Sequence, residues 1–326
     1  TAQGLFILDR QAAPGAVASL HAPMSDSPPM IVGLGEALYD VLPSGPELGG
    51  APLNAVVQAY QLGTLIGGNA AIVVSRIGRD KLGETLLGEL ASRGINTSFI
   101  QIDPDTPTGT VKITLQGTEP VYEIIRDVAW DRLSWDDSLA GLARRCDAVC
   151  YGTMSQRTEL ARSTIQRFVN TATQAVRLLD LNLRQDYFSV EVLENSFRAA
   201  SIVKMNEEEL TIVTSLLSLD QTSEPIPRLI DQFELDLFVL TRGKLGTALH
   251  TADSIVLGQE AKFEPEPNAD SVGAGDACSA AVLHGMIRNW PLQKTADLAN
   301  RLGAFVASRK GANPILPAEL LRNGIS

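Results

Sequence analysis

The densest group of chemically usable residues is the run Asp270-Ser271-Val272-Gly273-Ala274-Gly275-Asp276, followed at once by Ala277-Cys278-Ser279-Ala280-Ala281. Gly273 and Gly275 let backbone come close to a ligand, and the helix that the small residues predict would open with unpaired N–H groups and a partial positive charge. Together Gly273, Ala274 and Gly275 read as an anion hole with Asp276 beside it. A carboxylate in that place is suited to taking a proton from an attacking hydroxyl. Asp also caps helices, and spacing alone does not separate the two roles.

Rival nucleotide signatures fail. A Walker A loop needs Lys after its second glycine, whereas Gly78-Arg79-Asp80-Lys81-Leu82-Gly83 runs on into Glu84 and Thr85. Gly33-Leu34-Gly35-Glu36-Ala37-Leu38 lacks the third small residue that a dinucleotide-binding turn needs for close helix packing. Cys146, Cys150 and Cys278 form no CxxC pair, and His21, His250 and His284 lie far apart, so neither a disulfide framework nor a His-ligated metal centre is expected. The odd cysteine count suits a reducing cytoplasm.

These residues need a scaffold, and 326 residues at 44% hydrophobic content suffice for one large core. Lys plus Arg number 27 against 38 Asp plus Glu, a net charge of −11, which repels nucleic acid and anionic membranes. No apolar run approaches the roughly 20 residues of a membrane span. Residues 1–29 have mixed polarity and no sustained period, and read as an extension, disordered or left over from expression, with Met24 or Met30 as a possible natural start. Residues 30–326 read as one domain.

From Met30 onward, short β-branched runs alternate with helical stretches, which predicts a mainly parallel sheet covered by helices on both faces. Predicted strands are Ile31–Gly35, Ile72–Ile77, Asp147–Tyr151, Val176–Leu181, Ser201–Met205 and Leu235–Leu240, then Thr247–His250 and Ser254–Leu257. Predicted helices are Pro52–Leu62, Asp80–Ser92, Thr158–Thr173, Val190–Ala199, Glu207–Leu217, Ala277–Asn289 and Leu292–Ser308. Thr110–Leu115 and Val121–Ile125 follow one another with no helix between, which predicts an antiparallel hairpin and a candidate lid.

Seven segments occur in an order that resembles ribokinase-like, PfkB-type carbohydrate kinases. They are Gly35-Glu36 through Asp40, Gly49-Gly50-Ala51-Pro52-Leu53-Asn54, Ser75-Arg76-Ile77-Gly78, Asp180-Leu181-Asn182-Leu183-Arg184, Lys204-Met205-Asn206-Glu207-Glu208-Glu209, Thr241-Arg242-Gly243 and the Asp270–Asp276 run. Within the family the chain looks most like fructokinase-type members, from the GEALYD, GGAPLN and DLNLRQDYFS stretches and from Tyr122 through Asp131. The resemblance covers residues 30 to 318.

It implies an α/β three-layer sandwich with a small antiparallel β lid near residues 38–50 and 108–127. It implies transfer of the γ-phosphate of ATP to a sugar hydroxyl, D-fructose first, with Asp276 as the base and Gly273, Ala274 and Gly275 as donors to the migrating phosphoryl group. Asp40, Gly49, Gly50, Asn54 and Arg184 match sugar-side positions. Asn182, Lys204, Asn206, Glu209, Thr241, Gly243 and Gly246 match the nucleotide side. Glu209 would organise Mg²⁺ through water, and backbone at Asp270 and Val272, with residues 310–313, would hold K⁺. Acidic residues 207–209 also suit a helix start on their own. In the family such lids often pack against a second subunit, so the resemblance implies a homodimer. Other implied readings are a kinase of 2-keto-3-deoxygluconate, ribose or a nucleoside, and a catalytically silent sugar-binding regulator.

Overall fold

The computed structural model describes residues 27–42, 45–116, 119–219 and 224–321. Most of the expected N-terminal extension, residues 1–26, lies outside the described residues, as does the C-terminal end of the expected domain, 322–326.

A nine-stranded sheet runs through the centre. Its strands are β1 (Met30–Leu34), β4 (Ala70–Gly78), β5 (Ile100–Asp103), β8 (Ala148–Tyr151), β9 (Val176–Asp180), β10 (Ile202–Asn206), β11 (Leu237–Thr241), β12 (Thr247–His250) and β13 (Ile255–Leu257). Their order is β13-β12-β11-β10-β9-β8-β1-β4-β5, parallel from β11 to β5, with β12 and β13 antiparallel at one edge. Successive residues feed opposite faces, as the two-residue period of a strand requires. Ala148 and Cys150 face one core and Val149 and Tyr151 the other; Leu237 and Val239 are likewise split from Phe238 and Leu240. Both faces are covered, which is why these strands read as unbroken apolar runs.

One face carries α1 (Ala51–Ile66), α2 (Lys81–Ser92), α8 (Ala274–Ile287) and α9 (Leu292–Val306). The other carries α3 (Asp137–Arg145), α4 (Glu159–Thr171), α5 (Val190–Ala199), α6 (Glu207–Leu216) and α7 (Pro225–Phe233). The chain leaves β1 toward β4 on one side and returns to β8 on the other. This reversal is the kind of switch point at which open α/β sheets bind ligands.

A second sheet has the order β3-β2-β6-β7, from β2 (Leu38–Leu42), β3 (Gly45–Gly49), β6 (Gly109–Gln116) and β7 (Glu119–Ile124). The expected hairpin is present as the antiparallel pair β6–β7. The lid is not antiparallel throughout, because β2 and β6 pair in parallel from Leu38 and Gly109. Both strands leave the body of the molecule at that end and run outward together. Residues 43–44 and 117–118 lie outside the described residues.

Four elements go beyond the sequence expectation: β3, β5, α3 and α7. The helix after the glycine run also begins three residues early, at Ala274 with Gly273 as its N-cap, so Asp276 lies inside the first turn and is not the cap.

Candidate active site

The site residues gather at the carboxyl ends of the parallel strands. In sheet order they are Thr241 at the end of β11, Asn206 at the end of β10, Asn182 just beyond β9, Ser155 just beyond β8 and Glu36 just beyond β1. α1 and α8 both point their N-termini at this row.

α1 carries no side-chain cap of its own, since its N-cap is Gly50 at φ 109°, and a Cβ there would meet the Glu36 carbonyl oxygen at 2.4 Å. Gly49 is needed for space: a Cβ on it would stand 2.6 Å from an Asp40 carboxylate oxygen. One turn into α1, buried Asn54 donates from Nδ2 to Asp276 Oδ2 at 2.9 Å. Its own Oδ1 accepts from Asn313 Nδ2 at 2.7 Å, so the amide is oriented with its donor toward the acid. Asn313 is thus a site residue by contact. Gly273, at φ 78°, packs against Ala312, and Asp270 accepts from the N–H of Val272 at 3.0 Å and of Gly311 at 3.1 Å. The two segments expected at a monovalent cation, around 270–272 and 310–313, are therefore neighbours.

Burial raises the Asp276 carboxyl to about 7; the negative charge of Asp180 adds to the rise, while Lys204 and the Asn54 hydrogen bond hold it back. Burial likewise raises Asp40 to about 6, helped by Glu47 and opposed by Arg184. Arg184 is exposed beyond β9, and its charge bears on both Asp40 and Glu36, so it stands at the end of the row that these two acids occupy.

Glu36 escaped the sequence assignment of roles. It is buried, its N–H donates to Ser155 Oγ at 2.8 Å, and its carboxylate accepts from the same hydroxyl. Burial pushes this carboxyl up as well; the Ser155 hydroxyl, its own N–H, the Ala51 N–H at the start of α1 and the charge of Arg184 restrain it. Glu36 thus supplies α1 with the carboxylate that Gly50 cannot. An acid directly after an apolar strand was the available signal.

Lys204 stands elsewhere than at an open nucleotide surface. It is buried, and its Nζ lies 2.7 Å from both carboxylate oxygens of Asp180. Asn206 and Glu209 form a reciprocal cap on α6: Glu209 N–H donates to Asn206 Oδ1 at 2.8 Å, and Asn206 N–H donates to Glu209 Oε2 at 2.9 Å. Glu209 Oε1 also accepts from Leu183 N–H at 2.9 Å, which ties α6 to the loop holding Asn182 and Arg184. Thr241, Gly243 and Gly246 lie further along, at the β11 end and the turn after it. Gly246 adopts φ 75° against Asn300.

Among the described residues no group of three or more His, Cys, Asp and Glu side chains could hold a metal ion. A divalent ion carried on the phosphates of a nucleotide would keep most of its waters. Each Glu209 oxygen retains a second lone pair for such a water, so the donor chemistry fits a hydrated Mg²⁺. Cys146, Cys150 and Cys278 are buried free thiols, and among the described residues no helix is long and apolar enough to cross a membrane.

The chain was compared with known proteins. The pfkB family carbohydrate kinase profile matches residues 46–319. The fructokinase of Salmonella typhimurium is 28% identical over 309 residues, covering 87% of this chain and 95% of the relative. The crystal structure of an uncharacterized sugar kinase from Pyrococcus horikoshii in complex with ATP superimposes with a TM-score of 0.72 at 26% identity, covering 87% of this chain and 94% of that one. That of a fructokinase with bound ATP from Xylella fastidiosa gives a TM-score of 0.78 at 21% identity, covering 90% and 98%.

Proposed function

This chain belongs to the pfkB family of carbohydrate kinases, phosphotransferases that act on a sugar hydroxyl, and from that premise we propose that it phosphorylates a primary hydroxyl of D-fructose with ATP, using Asp276 as the general base. The observation that carries the reading is the contact between Asn54 on α1 and Asp276 on α8 at 2.9 Å, which joins a sugar-side helix to the helix whose N-terminus can receive phosphate.

In this reading Asp40 and Asn54 fix the sugar with directional acceptors and donors, and the hydroxyl to be phosphorylated lies against Asp276. Asp276 takes its proton as the oxygen attacks the γ-phosphorus and the bond to the β–γ bridging oxygen breaks, releasing ADP. The N–H groups of Gly275 and Asp276 face the charge that grows on the phosphoryl oxygens, and that of Ala274, which donates to the Ser271 carbonyl at 3.3 Å, joins them only by releasing it. A carboxyl near 7 suits this task, being ionised in part at neutral pH and basic enough to accept the proton. Mg²⁺ carried by the nucleotide would neutralise phosphate charge, with Glu209 holding one of its waters. K⁺ would sit against backbone oxygens at 270–272 and 310–313. The lid, carrying Asp40 on β2, excludes water while transfer proceeds.

One observation favours a second substrate class. Arg184 presents an exposed guanidinium whose field reaches Asp40, and a sugar acid such as 2-keto-3-deoxygluconate would use it for its carboxylate. ADP release measured with fructose, ribose, 2-keto-3-deoxygluconate and adenosine separates the readings. Fructose is expected to give the highest kcat/KM. Preference for the sugar acid would move the assignment to that class, and turnover of none would favour a silent sugar-binding regulator.

A further inference from the structure

We propose that the buried Asp180–Lys204 ion pair, fastened to α8 by Ser279, is a positioning unit for Asp276 that sets both the place and the charge of the base. The inference rests on the reading of Asp276 as the base.

Asp180 and Lys204 are direct neighbours on β9 and β10, 6% and 5% exposed. Burying two charges costs several kcal/mol per ion before their attraction returns it, and a well-packed apolar pair in the same place would stabilise at least as well. Stability alone therefore does not account for an ion pair here. Its surroundings do. Ser279 Oγ donates to Asp180 Oδ2 at 2.7 Å, and Ser279 lies three residues after Asp276, on the same side of α8. The second turn of α8, directly below the turn that holds Asp276, is thereby fastened to the sheet. From below, Lys204 Nζ lies 3.4 Å from the point where a Cβ on Gly275 would stand, so the ammonium abuts the turn that offers N–H groups to phosphate.

The pair also faces the base electrostatically. The charged or titratable groups around Asp276 are Asp180 on β9, Lys204 on β10, Glu36 beyond β1 and the Cys150 thiol on β8, with neutral Asn54 donating from α1. Asp180 disfavours the ionised base and Lys204 favours it, so the two offset one another. Burial is then left as the main influence. Lys204 is itself locked in its charged form: burial opposes the charge, but Asp180 overrides it. A nucleotide contact would instead need an ammonium free to turn outward.

The test compares the pH dependence of kcat/KM in Asp180→Asn, Lys204→Met and Ser279→Ala with the native enzyme. Asp180→Asn leaves Lys204 unopposed and should move the acid limb down by about one pH unit. Lys204→Met should move it up. Ser279→Ala, a small change that spares the fold, should lower kcat about tenfold while leaving the KM for ATP unchanged. If Lys204→Met fails to fold, the double variant Asp180→Asn/Lys204→Met removes both charges together, and its acid limb should lie above that of Asp180→Asn. The inference is overturned if the acid limb stays at its native position in every charge variant, if Ser279→Ala keeps native kcat, or if Lys204→Met raises the KM for ATP alone. Asp276→Asn run alongside separates the two claims: native turnover in that variant removes the base itself, whereas a dead Asp276→Asn beside unmoved acid limbs removes only the ion pair's role.

Discussion

Asp40 and Asp276 are both pushed toward neutrality by burial, to about 6 and about 7, yet they face different tasks. Asp40 sits on a lid strand against Gly49, where in the proposed reading its carboxylate accepts hydrogen bonds from sugar hydroxyls, whereas Asp276 stands in the first turn of α8. Asp40→Ala should therefore raise the sugar KM about 10- to 100-fold, the value of one or two hydrogen bonds to a charged group, and leave the KM for ATP within about threefold. Equal increases in both would place Asp40 outside the sugar pocket. The sequence made the glycine run and Asp276 legible because few roles demand two glycines before a helix-borne acid. It did not reveal that Asp276 is bonded to Asn54 and not to its own helix start, since the cap is Gly273 and only tertiary packing brings residue 54 to residue 276. Asp180 and Lys204 carried a readable signal: opposite charges at matching places in adjacent buried strands must pair.

At the scale of elements, most apolar strands and the longer amphipathic helices were legible, whereas β5 and the nine-residue helices α3 and α7 were not. β5 has four residues, and Ile102 on it is 41% exposed, so no apolar run marks it. α7 is nine residues long and opens on Pro225, with Pro227 two residues on, where proline suits a first helical turn. α3 is only nine residues long with Gly141 at its middle, and its mark is Asp136, which caps it by accepting from Leu139 N–H at 2.8 Å. α8 is held to α1 by a buried His284, whose Nε2–H donates to the Ala59 carbonyl at 2.8 Å while Nδ1 accepts from Arg288. Burial lowers this imidazole from 6.5 to about 4, with the Ala59 bond opposing and Arg288 assisting. Between those values the unfolded chain binds a proton that the folded one refuses, so stability is lost as pH falls from about 6.5 toward 4, by about 2–3 kcal/mol. Urea midpoints at pH 7 and pH 5 should fall further apart for the native protein than for His284→Gln, which keeps a donor and does not titrate. An identical drop in both would remove His284 from the acid sensitivity.

Over the whole molecule, the proposed reading puts the sugar between the lid and α1 and the phosphate at α8 with its glycine turn. β3 of the lid reaches the 310–313 segment through Lys310 and Glu47 at 2.9 Å, which seats the lid over the same crevice. The layered sheet and the hairpin followed from the alternation of periods along the chain. The parallel meeting of β2 with β6 did not, because strands separated by so many residues pair only through the fold. All of this architecture converges on one carboxylate, and replacing it without changing its shape tests the account most directly. Asp276→Asn should bind ATP and sugar with dissociation constants within a few-fold of native, while the rate of phosphoryl transfer falls on the order of 10²–10⁴-fold, the range that a positioned base supplies. A variant that binds both ligands and turns over near the native rate would contradict it.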